Sequence, residues 1–178
     1  STARNGVVWG TYPAASSINV EMFTNRTARL YWNGGGVSWV PTWVAELDTW
    51  THIAFVVGTA SQASLYVNGA LHSSVATTFA MVVPSVAFRY GNDYRSAGLQ
   101  YHGRLDEGRI WSVPRSAQQI STSFAHHLPP GTPGLLVYYK FSTADGTDSS
   151  GNAFHGTRLV GANGKPGFGL DNAALLSN

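Results

Sequence analysis

Apolar and polar residues alternate along most of this chain, and that period of two limits it to extended structure. Ile18 to Thr24 ("INVEMFT") and Ala28 to Gly34 ("ARLYWNG") both alternate. Trp50 to Gly58 ("WTHIAFVVG") is the strongest strand, apolar enough to be covered on both faces. Ala63 to Ser74 ("ASLYVNGALHSS") predicts a hairpin, because Asn68-Gly69 is the favoured pair for a two-residue type I′ turn. Further short strands are expected at "SVAFRYG" (Ser85 to Gly91), "GRLDEGRIW" (Gly103 to Trp111), "LLVYYKF" (Leu135 to Phe141), "HGTRLVG" (His155 to Gly161) and "FGLDNAALL" (Phe168 to Leu176).

One segment breaks the pattern. "RSAQQISTSFAHHL" (Arg115 to Leu128) reads as a helix, with Ser116 and Gln119 spaced as a capping box and Ile120 and Phe124 on one face. It runs into the turn-rich "LPPGTPG". The total is roughly ten to twelve short strands and one short helix. The expected fold class is therefore all-β, a two-sheet antiparallel jelly-roll sandwich.

Composition narrows the function. Charged residues make up only 11% and the net charge is +2, with no run of Lys or Arg, which argues against a nucleic-acid partner. No apolar run reaches the ~18 residues of a membrane span, so membrane insertion is not expected. "STARNGVVWG" lacks the charged-then-apolar order of a signal peptide. Cysteine is absent, which removes disulfides, thiolate metal sites and Cys nucleophiles. Asn25-Arg26-Thr27 fits an N-glycosylation sequon and equally a chance tripeptide.

Asp106-Glu107 is the one adjacent acidic pair, with arginines at Arg104 and Arg109. On a continuous strand the two carboxylates diverge to opposite faces. A glycosidase pair must converge, at about 5–9.5 Å. The alternation instead predicts two ion pairs, Arg104–Asp106 and Glu107–Arg109. No nucleophile elbow, phosphate loop, zinc-protease motif or dinucleotide fingerprint is present. Glu21, Glu46 and Asp48 stand isolated, His126-His127 should face water at the helix end, and His52 and His155 read as satisfied core histidines. The chain is not expected to be an enzyme.

"GRLDEGRIWSVPRSAQQI" resembles the G-x-[IL]-D-E-V-R-I-[WY]-x-x-[AP]-R-[ST]-x-x-[EQ]-I signature of LamG-like jelly rolls, the laminin-G/pentraxin-like members of the concanavalin A-like lectin/glucanase superfamily. "DTWTHIAFVVGTASQASLYVNGALHSS" and "LLVYYKF…DSSGNAFHGTRLVG" are similar to two further motifs of that family. The resemblance implies one LamG-like jelly-roll domain over residues 1–178. In the family the last of these blocks commonly precedes the domain, whereas here it comes last. Residues 135–178 are accordingly expected to supply the missing front strands, closing a permuted sandwich with Leu170 to Leu176 beside Val7 to Tyr12. The competing arrangement is a chain cut from a tandem array, with neighbouring domains. The E-x-D-x-x-E strand of glucanases in this superfamily is missing.

The resemblance also implies calcium (Ca2+). "DGTDSSGN" offers Asp145, Asp148 and Asn152 as oxygen ligands, and the same residues suit a loop that caps its own backbone. The aspartate-rich first-strand motif of calcium-binding relatives is absent. Sugar binding calls for aromatic faces beside polar groups. Trp39, Trp43, Tyr94 and Tyr101 are the candidate stacking residues, with Asn92, Asp93 and Arg95 as hydroxyl or sugar-acid partners. Trp32, Trp50 and Trp111 are assigned to the core. Trp39, Trp43 and Tyr94 suit core filling as well as a binding rim. The leading expectation is a non-catalytic carbohydrate-binding or adhesion module of an extracellular protein, with glycans as partners. The other is a structural domain binding matrix or cell-surface proteins in a cell-wall, appendage or matrix assembly.

Overall fold

A computed structural model describes residues 4–12, 18–32, 37–58, 62–77, 87–91, 101–142, 146–160 and 166–170. Twelve strands and one helix fall among them, in the order β1 (Arg4–Tyr12), β2 (Ile18–Phe23), β3 (Ala28–Trp32), β4 (Val37–Trp39), β5 (Ile53–Val57), β6 (Gln62–Val67), β7 (Ala70–Ala76), β8 (Ala87–Tyr90), β9 (Gly108–Trp111), α1 (Ala117–Ser123), β10 (Leu135–Tyr139), β11 (Thr157–Val160) and β12 (Pro166–Leu170). The fold is the antiparallel jelly-roll sandwich that the alternation predicts. A seven-stranded sheet runs β11-β12-β8-β1-β2-β3-β4, and smaller sheets β5-β6-β7 and β10-β9 pack against it.

The core has two halves. Val8, Ile18, Val20, Met22, Leu30 and Trp32 of the large sheet meet Ala63, with Ile53 and Phe55 packed alongside. Phe88 and Tyr90 meet Val137 and Tyr139 of the β10-β9 sheet. Rings chain through that second half edge to face: Phe88–Tyr90 at 5.1 Å, Tyr90–Tyr139 at 5.9 Å and Tyr90–Phe141 at 5.4 Å. Each such contact adds about 0.5–1.5 kcal/mol beyond the area it buries.

The C-terminal strands enter the large sheet. β12 pairs with β8, which pairs with β1, so β11 and β12 lie in the same sheet as Val7–Tyr12. Leu170 pairs with Phe88, and residues 171–176 lie outside the described residues.

Local signals are realised where they are strong. Asn68 and Gly69 both have positive φ, 48° and 80°, as a type I′ turn requires. A Cβ at Gly69 would sit 2.6 Å from the Phe124 ring, so the turn is also the seat of the helix. Gly69→Ala should therefore cost about 1–2 kcal/mol, read as a lower urea midpoint at unchanged m value. Ser116 and Gln119 form the full reciprocal capping box.

Three expectations are corrected. Ile53 to Val57 is an edge strand with every residue half-buried, so only part of its apolar surface is covered. Glu21 is not isolated: it is fully buried on β2 and ion-paired with Arg29, its cross-strand neighbour on β3. The strand in "GRLDEGRIW" begins only at Gly108, and Glu107 has φ 55°, so Asp106 and Glu107 precede it and strand parity does not apply to them.

Candidate functional site

The connection from β4 to β5 carries the most exposed apolar side chains of the described residues. Trp50 is 63% exposed and Leu47 is 70% exposed, with Val40 and Val44 also open to solvent. Backbone bonds fix the base of this segment. Ala45 N–H donates to the Arg26 carbonyl at 2.9 Å, and Thr27 and Val44 form an isolated bridge. Its tip turns tightly at Asp48, held at φ 54°, while the Thr49 hydroxyl donates to the Leu47 carbonyl. Glu46 and Asp48 are exposed on either side of Leu47. An indole ring exposed two residues after that turn can stack on the C–H face of a sugar ring, and the exposed carboxylates of the same segment are hydrogen-bond acceptors for hydroxyls.

The sequence-based assignment of Trp50 to the core is thus corrected. It looked like the first residue of a strand, but the strand starts three residues later, at Ile53. Trp32 is buried as expected, and Trp111 is half-buried with the Arg115 guanidinium 4.0 Å above its ring. Trp39, Trp43 and Tyr101 are half-buried and pack against one core cluster, Trp39 edge-on to Phe55 at 5.9 Å. Burial raises the Tyr101 phenol above its ordinary pKa. Asn92, Asp93, Tyr94 and Arg95 lie outside the described residues.

A second feature lies at the end of β10. A cleft of about 190 Å³ is lined by Tyr139, Lys140, Phe141, Ser142, Thr147 and Ser149. Its lower wall is the loop expected to hold calcium. Asp148 is 6% exposed, and both its oxygens are in use. Oδ1 accepts the N–H groups of Tyr138 and Ser150, each at 2.9 Å. Oδ2 accepts the Ser150 hydroxyl at 2.7 Å and the Phe154 N–H at 3.0 Å. Asn152 Nδ2 donates to the carbonyls of Leu135 and Leu136. These two residues pin the loop onto β10 and do not fit a calcium cage, because an ion would have to displace four donors from Asp148. Asp145 lies outside the described residues. Among those described, no three His, Asp or Glu side chains gather as metal ligands.

The acidic pair has a structural task. Glu107 accepts from Arg109 at 2.6 Å, from the Tyr138 hydroxyl, and faces His127 Nδ1 at 3.0 Å. Arg109 also donates to the carbonyls of Ser123 and His126, tying the helix end to β9. Burial would raise the Glu107 pKa, but the bonds from Tyr138 and Arg109, with the charges of Arg109 and His127, hold it below the ordinary value. The Glu107–Arg109 pair is as expected. The Arg104–Asp106 pair does not form; Asp106 Oδ1 accepts the Glu107 N–H instead. His155 is exposed, not in the core, and its Nδ1 accepts the Asp148 N–H. His52 is half-buried, yet its Nδ1 has no hydrogen-bond partner.

Residues 2–121, from the N-terminus into α1, match a laminin G family described as belonging to the concanavalin A-like lectin/glucanases superfamily. No curated protein matches the sequence. The solved structure of a "putative carbohydrate binding protein" from Bacteroides ovatus superposes with a TM-score of 0.67 at 20% identity. That similarity covers 92% of this chain and 47% of the other, so the chain spans about half the length of that protein. An S-layer domain-containing protein from Clostridium thermocellum gives a TM-score of 0.31 at 15% identity, covering 68% of this chain and 63% of that one. Among the described residues no helix is long and apolar enough to cross a membrane.

Proposed function

The chain belongs to the concanavalin A-like lectin/glucanases superfamily, and from that premise we propose that residues 1–178 act as one non-catalytic carbohydrate-binding module of an extracellular or cell-surface protein. The observation that carries this reading is Trp50, a large aromatic ring 63% exposed on a turn whose base is hydrogen-bonded to the β2–β3 hairpin. Folding gains little from leaving an indole in water, whereas a sugar ring supplies an apolar face of matching size. The Bacteroides protein, described as carbohydrate-binding, supports the same reading through its shared fold. Binding at one such platform is weak, and repetition in tandem would strengthen it.

A glycan array run with calcium and again with EDTA tests the proposal. Binding is expected in both conditions, since the Trp50 platform needs no metal. Trp50→Ala should weaken it about 30-fold, the loss of about 2 kcal/mol of stacking. Its melting temperature should stay near that of the parent, because surface truncations cost within about 0.5 kcal/mol. A folded protein that binds no glycan would sink the reading. Val40, Val44 and Leu47, exposed on the same β4–β5 connection, favour a second one, docking of a matrix or cell-surface protein on this segment.

A further inference from the structure

We propose that Asn25, in the turn between β2 and β3, is a covalent modification site that accepts an oligosaccharide from a lipid-linked diphosphate donor. Asn25-Arg26-Thr27 is the only Asn-x-Ser/Thr tripeptide in the chain. The turn leaves Thr24, Asn25 and Arg26 exposed, with Arg26 at a φ of 68°. Two backbone bonds close it: Phe23 N–H donates to the Thr27 carbonyl at 3.0 Å, and Arg26 N–H donates to the Phe23 carbonyl at 2.9 Å. The β4–β5 connection braces it from outside, through the bond from Ala45 N–H to the Arg26 carbonyl and the bridge between Thr27 and Val44. The Asn25 amide therefore stands at the surface on a fixed base, where a bulky group can be attached without disturbing the core.

The two ends of that amide differ. Oδ1 accepts the Thr27 hydroxyl at 2.8 Å and the Thr27 N–H at 3.2 Å. Nδ2 has no hydrogen-bond partner among the described residues. A self-capped turn needs only the bond from the backbone N–H, which an aspartate would accept as well. The free amide nitrogen and the hydroxyl bond are what this pair adds, and both serve glycosyl transfer. An amide nitrogen is a weak nucleophile because its lone pair is shared with the carbonyl. A donor on Oδ1 stabilises the negative charge that the oxygen gains as Nδ2 gives up a proton. Nδ2 then bonds to the anomeric carbon of the first sugar. The bond from that carbon to the diphosphate oxygen breaks, and the lipid diphosphate leaves with the electron pair. The proton passes to a base of the transferase, and nothing is oxidised or reduced. This site is separate from the Trp50 platform and stands whether or not that platform binds glycan.

The test incubates the purified, folded protein with a solubilised oligosaccharyltransferase and a lipid-linked diphosphate oligosaccharide. A synthetic peptide spanning Val20 to Leu30 runs in parallel, and intact mass spectrometry reads both. The folded protein should gain one oligosaccharide, located at Asn25 by peptide mapping, at a rate no more than about tenfold below that of the peptide. Thr27→Val keeps the branched shape and the backbone N–H of residue 27 but has no hydroxyl, and it should react at least about a hundredfold more slowly. Thr27→Ser, which keeps a hydroxyl, should still react, and Asn25→Gln should gain nothing. A folded protein that stays unmodified while the peptide reacts would show that the turn hides the amide, and would overturn the proposal. So would a peptide and a protein that both stay unmodified, or Thr27→Val reacting as fast as the parent.

Discussion

Asp148→Ala should destabilise the protein by about 4 kcal/mol, read as a urea midpoint lower by about 2 M at unchanged m value. The carboxylate accepts four hydrogen bonds, three of them from backbone N–H groups on both sides of the loop. A hydrogen bond to a charged group contributes about 1.5–3 kcal/mol, and a donor left buried without an acceptor adds its own desolvation cost. The four share one anion, so their sum is less than four separate bonds. Tyr138 is fully buried and its N–H has no route to water, which places this residue among the few whose loss exceeds the common range of about 0.5–3 kcal/mol. Asp148→Asn keeps one acceptor oxygen and sets an amide donor against the Phe154 or Ser150 N–H, so about half the loss is expected. A measured loss below about 1 kcal/mol would mean that Asn152 and the Tyr139–Phe154 bond hold the loop by themselves.

The same residue shows what the sequence makes legible. "DGTDSSGN" announces a carboxylate in a tight polar loop, and both a metal cage and a self-capped turn use that pattern. Choosing between them depends on where the oxygens point, which the closure of β10 onto the loop decides. Local chemistry reads well: the Asn68-Gly69 turn and the Ser116–Gln119 box each involve residues within three positions of one another, and both form. Glu107 and Arg109 do pair, but strand parity is not the reason, because Glu107 lies outside the strand at a left-handed φ. Trp50 is the contrary case. Its neighbours spell a buried strand, but its exposure is set by the turn at Asp48 and by the brace from Arg26, which is about twenty residues away in sequence.

Stability should also fall between pH 6.5 and pH 4, and His52 is the group responsible. Burial, with a smaller contribution from the positive charge of Arg109, lowers its pKa from 6.5 to about 4. The ring is tilted against Phe124 at 5.5 Å, and its Nδ1 has no partner to welcome a proton. Arg109 cannot move aside, since Glu107, the Ser123 carbonyl and the His126 carbonyl all hold it. Above pH 6.5 the imidazole is neutral in both folded and unfolded chains, and the full stability is present. As the pH falls the unfolded chain takes up a proton that the folded protein refuses, a loss of up to about 1.4 kcal/mol per unit. Solvent still reaches part of the ring, so the total by pH 4 is about 2 kcal/mol. Below pH 4 both states are protonated at His52 and its contribution stops changing. Glu107, whose pKa is lowered, then takes over, because its stabilising charge is lost as it titrates below the ordinary carboxylate value of 4.5. Urea unfolding of the parent and of His52→Gln at pH 7.5, 5.5, 4.5 and about 3 separates the two windows. The variant should lose the part of the slope above pH 4.5 that belongs to His52 and keep the drop below it. Parallel curves for the two proteins would show that the imidazole takes up its proton as readily when folded as when unfolded, and that the helix and the β6–β7 turn do not shield it.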